Sequence, residues 1–134
     1  MNSKHRAKPP VVNLRVVIEN NIKEMFSRFN EDFFFKNAEI RFSRRFDHFL
    51  DRLFDRKFNE VAVIRALKKH VSDKKCEIIY CCHLTNPPLR CNIVTDEFII
   101  CFSIFIDGDG KKQLKLRTIT ENNNTQSKIS TYIL

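Results

Sequence analysis

The spacing of apolar residues changes once along the chain, near residue 75, and this change constrains the fold more than any other feature. Before it, apolar residues recur every three or four positions, as on the buried face of a helix. After it, short segments rich in β-branched and aromatic residues are separated by turn residues, as in strands. Helices at one end of a chain and strands at the other are typical of the α+β class. We therefore predict N-terminal helices packed on a C-terminal antiparallel sheet of about four strands.

Three helices are predicted in the first half of the chain. The first spans residues 11 to 29, and polar residues 30–32 break its pattern. The second follows Ser43, whose hydroxyl can accept a hydrogen bond from a free N–H of the first turn. Asn59 is expected to end this helix and to cap the third. The apolar stripe of the second helix consists of Phe46, Phe49, Leu50, Leu53 and Phe54, and that of the third consists of Val61, Ile64, Ala66 and Leu67.

Four strands are predicted after the change of period, with a turn at residues 85–88. They cover residues 76–84, 90–94, 98–106 and 112–120. Residues 98–106 are almost all apolar, which predicts a strand buried on both faces. The Asp-Gly-Asp-Gly sequence that follows predicts a hairpin. In the last strand Leu114 and Leu116 point to one face, whereas Gln113, Lys115 and Arg117 point to the other.

The length of 134 residues indicates a single domain, 1–134, with a flexible basic arm at 1–8 and a polar tail at 121–134. The net charge of +8, from 24 basic and 16 acidic residues, favours a polyanionic partner, with nucleic acid first. There is no apolar run of the roughly 20 residues that cross a membrane. The basic, polar start is not typical of a signal peptide, so we expect the five cysteines to be reduced thiols in a cytoplasm.

A histidine stands among arginines on the second predicted helix, on the side away from the apolar stripe. His48 and Arg52 are four residues apart, so they share a face, and Arg44, Arg45 and Arg56 lie close to them in the sequence. RNA cleavage through the 2′-hydroxyl needs a base, cations around the phosphate and an acid for the leaving oxygen. A face of histidine and arginine can supply the first two. The alternative is a solvated face on which Asp51 and Asp55 pair with the arginines.

Other polar residues are weaker candidates. His70 falls at a helix end, where a cation is favourable in any case, and His83 ends a predicted strand at the rim of the sheet. Lys115 and Arg117 would form a groove with the helix face if the two surfaces adjoin. Tyr80 or a phenylalanine at the edge of such a groove could stack on an unpaired base. The alternative for the strand face is an ordinary solvated surface.

We expect neither a metal ion nor a cofactor. Cys76, Cys81, Cys82 and His83 form a C-x4-C-C-H pattern without a second half, and neighbouring strand residues point to opposite faces. The loop after Asp107 has threonine where a calcium loop has its twelfth-position glutamate. The chain has no glycine-rich phosphate-binding motif.

Residues 48–60, HFLDRLFDRKFNE, fit the pattern H-x-L-D-R-x-x-x-R-x-x-[DN]-E. In this the chain resembles the RegB endoribonucleases of T-even-type phages, which share a fold with the RelE-like toxins. Residues 89–105 and 112–119 resemble the family's later strands more loosely. The resemblance implies a RelE-like fold and a metal-independent endoribonuclease in the host cell cytoplasm. It implies cleavage of early phage messages at GGAG-type translation-start elements, leaving a 2′,3′-cyclic phosphate.

The resemblance also suggests roles for individual residues. His48 matches the catalytic histidine and is expected to be the general base, while Arg52 and Arg56 match the family's arginines. The second functional histidine of the family falls on Lys68 here, and His70 lies two residues further on, so the identity of the acid stays open. The expected catalytic residues are therefore His48, Arg52, Lys68 and His70. The expected RNA-binding residues are Arg44, Arg45, Arg56, His83, Lys115 and Arg117.

Other functions remain open from the sequence. The missing second histidine would suit a non-catalytic RNA-binding translational repressor on the same scaffold. A RelE-like toxin that acts only on the ribosome, or an inhibitor of a host protein, is a further alternative. The expected partners are single-stranded mRNA and, in addition, the ribosome or a ribosomal protein.

Overall fold

A computed structural model of the chain describes residues 13–35, 40–83, 90–122 and 131–133. The described residues form four helices and five strands. In chain order these are α1 (Leu14–Phe35), β1 (Ile40–Phe42), α2 (Asp47–Asp55), α3 (Glu60–Asp73), α4 (Lys75–Cys82), β2 (Arg90–Val94), β3 (Phe98–Ile106), β4 (Lys112–Glu121) and β5 (Thr131–Ile133). All four helices precede β2, so the predicted α+β class is confirmed.

Parts of the prediction fall outside the described residues. The expected arm at 1–8, the expected turn at 85–88 and residues 123–130 of the expected tail all lie outside the described residues. Two pieces of the predicted polar tail of 121–134 are among the described residues and belong to the sheet. Glu121 is the last residue of β4, and residues 131–133 form β5.

The strands form one sheet in the order β1-β4-β3-β2-β5. Its centre is the predicted meander, in which β2 pairs with β3 and β3 with β4, all antiparallel. The short edge strands are parallel to their neighbours, β1 to β4 and β5 to β2. The sheet is therefore mixed, because its edges come from segments far away in sequence rather than from hairpins.

The hairpin between β3 and β4 forms at the predicted Asp-Gly sequence. The carboxylate of Asp107 accepts hydrogen bonds from the N–H groups of Asp109 and Lys111, at 2.9 and 3.0 Å. Gly110 has φ +81°, a conformation that favours glycine because it has no Cβ. The turn therefore needs both the carboxylate and the glycine of this sequence.

One face of the sheet is buried, not both. The even-numbered residues of β3 up to Ile104, which are Phe98, Ile100, Phe102 and Ile104, belong to the hydrophobic core, and Ile106 at the end of the strand is exposed. The odd-numbered residues are half-buried or, at Phe105, exposed. The prediction that β3 is buried on both faces is therefore wrong, because the helices pack against the even-numbered face. We call the opposite face the outer face.

Phenylalanine rings connect the helices to the buried face of the sheet. The ring of Phe26 on α1 lies 5.2 Å from that of Phe42 on β1 and 6.3 Å from that of Phe102 on β3. It also meets the ring of Phe46, just before α2, edge-on at 5.7 Å. Phe26 is fully buried. Phe26 of α1 therefore packs against β1, against β3 and against the residue that precedes α2.

Residues 75–82 form the helix α4, so the strand predicted at 76–84 is wrong. The segment is too short and too uniformly apolar for its period to separate the two structures. Its buried residues, Ile78, Cys81 and Cys82, are three and four positions apart, which is the spacing of a helix face. Lys75 also forms an ion pair with Asp32 of α1. Tertiary packing has overridden the strand propensity here.

The helix boundaries differ from the predicted ones at several places. Helix α2 ends at Asp55, before Asn59, and α3 continues past His70 to Asp73. Helix α1 continues to Phe35, because Phe29 and Phe33 extend its buried stripe past the polar residues 30–32. Helix α2 begins at Asp47 and has no side-chain cap. Ser43 does not cap it, because its hydroxyl accepts from the N–H of Arg45 at 3.3 Å, ahead of the helix. The N–H of Ser43 donates to the carbonyl of Leu114 at 2.9 Å, so this residue still belongs to the sheet.

The start of α3 is largely as predicted. The side chain of Asn59 accepts a hydrogen bond from the N–H of Ala62 at 3.0 Å and caps the helix. Ala66 and Leu67 are buried, but Val61 is 62% exposed, and Val63 and Val71 take its place in the core.

Candidate nucleic-acid interface

The path of the chain after β1 brings the start of α2 beside β4. The last pair between β1 and β4 is Phe42 with Leu114. Past that pair, no described strand lies on this side of β4, and the chain turns away towards Asp47, where α2 begins. Helix α2 packs along β4 instead. Side chains near the start of α2 therefore face the side chains of β4 that follow Leu114.

A groove of about 780 Å³ lies between these two elements, and we call it the basic groove. One wall is formed by the residues around the start of α2, which include Arg45, Asp47 and His48. The other wall is formed by the sheet, and its residues include Arg90, Ser103, Phe105, Lys115 and Arg117. The helix face and the strand face that the sequence marked as candidates therefore adjoin.

The register of the sheet aligns the polar residues of the second wall. Ser103 on β3 pairs with Arg90 on β2 and with Lys115 on β4. Residues paired across antiparallel strands share a face, and neighbouring strands are about 4.8 Å apart. Two cations and a hydroxyl thus form a row about 10 Å wide across three strands on the outer face.

A β-bulge places Arg117 in the groove. Cys101 pairs with Thr118 and Phe102 pairs with Leu116, so Arg117 is the extra residue between them. The bulge allows Leu116 and Ile119, three residues apart, to be buried together. The guanidinium of Arg117 donates a long hydrogen bond of 3.4 Å to the hydroxyl of Ser103. It is thereby held beside the row of Arg90 and Lys115.

The groove carries a surplus of positive charge. Its lining contains four permanent cations, Arg45, Arg90, Lys115 and Arg117, and one carboxylate, Asp47. None of these cations forms an ion pair with a described carboxylate. Asp51, which could have neutralised the arginines of α2, instead pairs with Arg15 of α1 at 2.6 Å. An anionic ligand would therefore meet cations that are not already neutralised by these acids.

His48 projects from α2 on the side opposite the core. It is exposed, whereas Phe49, Leu50 and Leu53 are fully buried. Arg52, one turn further along, is half-buried on the same side but does not line the groove. Arg44 lines an adjoining depression together with Arg45, and Arg56 is exposed at the end of α2, outside both depressions.

The other predicted residues lie elsewhere. Lys68 lines a separate depression between α1 and α3 that shares no residue with the basic groove. Nδ1 of His70 is hydrogen-bonded to the carbonyl of Ala66 at 3.0 Å, within its own helix. His83 follows the end of α4, and Tyr80 is 64% exposed on that helix. None of the four is part of the described lining of the groove.

Three residues of the groove were missed by sequence reasoning: Arg90, Ser103 and Phe105. The sequence pattern predicts Arg90 only as the first residue of a strand. It predicts Ser103 and Phe105 on a strand that is buried on both faces. The signal that could have identified them is the alternation along β3, where Ser103 is the one hydroxyl in an apolar run.

The cysteines do not form a metal centre in the described part of the chain, where no three His, Cys, Asp or Glu side chains are placed to hold a metal ion. Burial raises the pKa of the Cys82 thiol to about 12, and the neighbouring Cys81 contributes a smaller part of this rise. Burial also raises the pKa of Cys91. No helix among the described residues has the length and apolar character that a membrane crossing requires.

Comparisons with protein-family models, with curated proteins and with solved structures found no match to this chain. The resemblance to the RegB endoribonucleases therefore depends on the motif at residues 48–60 and on the strand pattern that follows it. The geometry of the basic groove is an independent observation, because it places His48 of that motif in one groove with cations from two strands, β2 and β4.

Proposed function

We propose that this protein is an endoribonuclease that binds single-stranded RNA in the basic groove and cleaves it with His48 as the general base. The observation that supports the proposal is the position of His48. It lines a groove whose described lining holds four unneutralised cations and one carboxylate. RNA presents one negative charge per nucleotide, and arginine binds phosphate through two parallel hydrogen bonds.

In the proposed reaction the 2′-hydroxyl of one nucleotide attacks the adjacent phosphorus. The neutral imidazole of His48 takes the hydroxyl proton as the new P–O bond forms. The bond to the 5′-oxygen of the next nucleotide breaks, which leaves a 2′,3′-cyclic phosphate and a free 5′-hydroxyl. Arg45 on one wall and Arg90, Lys115 and Arg117 on the other stabilise the charge that builds on the phosphate oxygens.

The leaving 5′-oxygen also needs a proton. Of the four cationic side chains in the described lining of the groove, three are arginines and one, Lys115, is a lysine. An ammonium group gives up a proton more readily than a guanidinium group. We therefore propose Lys115 as the acid. Lys68 and His70, the candidates suggested by the motif, line no part of the described groove, and their roles stay predictions. Arg52, one turn beyond His48, is proposed to hold a neighbouring phosphate.

The identity of the substrate is proposed from the motif at residues 48–60. On that basis the substrate is early phage mRNA with a GGAG-type element at its translation start, cut in the cytoplasm of the host cell. The cations of the groove support the wider class of polyanionic ligands, and the proposed role of His48 as a base favours a polyanion that carries a 2′-hydroxyl.

The test is a cleavage assay on an end-labelled RNA that carries a GGAG element in a start-site context, with EDTA present. We expect discrete cuts in the element. Phosphatase should remove the terminal phosphate of the upstream product only after acid has opened the 2′,3′-cyclic phosphate. RNA that stays intact and is not retarded on a native gel would contradict the proposal. Cutting that occurs only when ribosomes are added would favour the ribosome-dependent toxin instead.

A second candidate is a translational repressor that binds RNA without cleaving it. The observation that favours it is the described lining of the groove, in which His48 is the one histidine. Such a protein would retard the same RNA on a native gel, with binding that weakens steeply as salt rises, and would release no products.

A further inference from the structure

We propose that Phe105 is a base-stacking residue and that the depression beyond it holds the nucleotide next to the cleaved phosphate. This inference rests on the proposed RNA-binding function. It adds a position for an unpaired base, which the general chemistry of the groove does not require.

The first observation is the exposure of Phe105. Of the phenylalanines whose side chains the structure describes, it is the one that is exposed, at 39%. Eight of the others belong to the buried core. Its ring has no partner among the described aromatic side chains. A large apolar ring that is left open in a basic groove offers a flat surface on which a base can stack.

The second observation is the position of Phe105 between two depressions. The second depression, of about 450 Å³, adjoins the basic groove and shares Arg45, Phe105 and Lys115 with it. Arg41, Arg44 and Gln113 are among its other lining residues. A phosphate held by the shared cations would therefore place the next base over the ring of Phe105.

The third observation is a set of polar groups beside the ring. Gln113 on β4 is paired with Phe105 on β3, and Arg41 on β1 is paired with Gln113, so all three lie in one row on the outer face. Nε2 of Gln113 donates to the carboxylate of Asp107 at 2.9 Å. This bond leaves the carbonyl oxygen of Gln113 as an acceptor, while Arg41 supplies donors. A stacked base can therefore be hydrogen-bonded at its edge.

Two consequences follow for the substrate. The nucleotide over Phe105 must be unpaired, because a base in a duplex cannot present its face to a side chain. A purine is favoured over a pyrimidine at this position, because its two rings cover more of the phenylalanine. Selectivity would then arise at one nucleotide beside the cut rather than over the whole site.

The test uses single-stranded RNAs that carry the fluorescent base 2-aminopurine at one position, moved stepwise along the cleaved element. A 2′-deoxy nucleotide at the scissile position prevents cutting. With the wild type, we expect strong quenching at a single position next to the scissile phosphate. Phe105→Leu should abolish this quenching and weaken binding about fivefold to a hundredfold. Phe105→Trp, which keeps an aromatic ring at this position, should quench the fluorescence and bind the RNA like the wild type.

Tyr80→Ala is the matched control, since Tyr80 is an exposed aromatic residue outside both depressions. It should bind and quench like the wild type. On cleavable RNA, Phe105→Leu should raise KM while kcat stays within about threefold of the wild type, because stacking acts on binding. If Phe105→Leu binds, quenches and cuts like the wild type, the inference is wrong although the proposed function stands. If the wild type neither binds nor cuts RNA, both are wrong.

Discussion

The side-chain amide of Asn30 on α1 forms hydrogen bonds with both backbone groups of Phe42 on β1. Its oxygen accepts from the N–H of Phe42 at 2.7 Å, and its nitrogen donates to the carbonyl at 3.2 Å. Phe42 is the last residue of β1, and the chain leaves the sheet immediately after it. The amide therefore occupies the free edge of the strand and fixes the point from which the chain runs to Arg45 and His48.

Replacing Asn30 with alanine should destabilise the protein. The change leaves the N–H and the carbonyl of Phe42 without partners at a half-buried site, which costs about 1–3 kcal/mol. Urea unfolding followed by circular dichroism measures this change. Asn20→Ala is the control, because Asn20 is exposed on the same helix, and it should leave the free energy of unfolding almost unchanged. Equal stability of the two variants would show that the Asn30 amide does not hold β1.

Replacing Lys115 with alanine should weaken RNA binding and reduce its dependence on salt. Lys115 is one of the groove cations that have no described acidic partner. Each phosphate contact with single-stranded RNA contributes about 0.7 to the slope of log K against log salt concentration. Binding titrations over a range of salt should therefore give a slope smaller by about 0.7. Lys69→Ala, an exposed lysine of α3 outside the groove, should keep the wild-type slope.

The cysteines should differ in their reactivity towards a thiol reagent. Cys76 is exposed, whereas Cys81, Cys82 and Cys91 are buried, and burial raises the pKa of each of the three. At pH 8 we expect one fast thiol in the native protein, and Cys76→Ser should remove it. The three buried thiols should react only after unfolding. Cys101 is half-buried, and burial raises its pKa, so it should react more slowly than Cys76. Fast reaction of Cys81, Cys82 or Cys91 in the native state would contradict their burial in the core.

The stability of the protein should fall at alkaline pH, in part because of Cys82. Burial raises the pKa of this thiol to about 12 from an ordinary value of 9.0. Above pH 9 the unfolded chain releases the proton while the folded chain keeps it, so stability is lost as the pH rises towards 12.

The Cys82→Ala variant isolates this effect. Groups away from Cys82 titrate equally in both proteins, and burial rather than Cys82 is the largest cause of the raised pKa of its neighbour Cys91. The difference between the two pH profiles therefore reports mainly on the Cys82 thiol. Between about pH 9 and 11 the wild type should lose roughly 1 kcal/mol per pH unit more than the variant. Parallel pH profiles of unfolding free energy would mean that the Cys82 thiol titrates normally in the folded protein.

Local signals in the sequence sufficed for several elements. The stripe of α2, the Asn59 cap of α3 and the Asp-Gly hairpin each depend on residues within a few positions of one another, so they could be predicted. The exposure of His48 follows from the same stripe, because a residue half a turn away from Leu50 and Leu53 cannot also face the core.

Features that depend on distant residues could not be predicted. Helix α4 is short and apolar, and its ion pair with Asp32 of α1 and its packing, rather than its own pattern, decide its structure. Arg90 enters the groove through its pairing with Ser103, and Arg117 enters it through a bulge. Strand register and bulges are set by partner strands, so the sequence indicated Arg45, Lys115 and Arg117 as candidates but not Arg90, which joins them only through strand pairing.

The most direct test of the central claim is the single-turnover rate of RNA cleavage by three proteins: the wild type, His48→Ala and Lys115→Ala. Because His48 is exposed, its variant should fold with wild-type stability. We expect its rate to fall by about a hundredfold to ten-thousandfold, and added imidazole to restore part of that rate. At a pH well above the pKa of imidazole, where the added imidazole is neutral and can act only as a base, it should not rescue Lys115→Ala, which lacks the proposed acid. If a folded His48→Ala protein cuts RNA at the wild-type rate, His48 is not the base and the proposed mechanism is wrong.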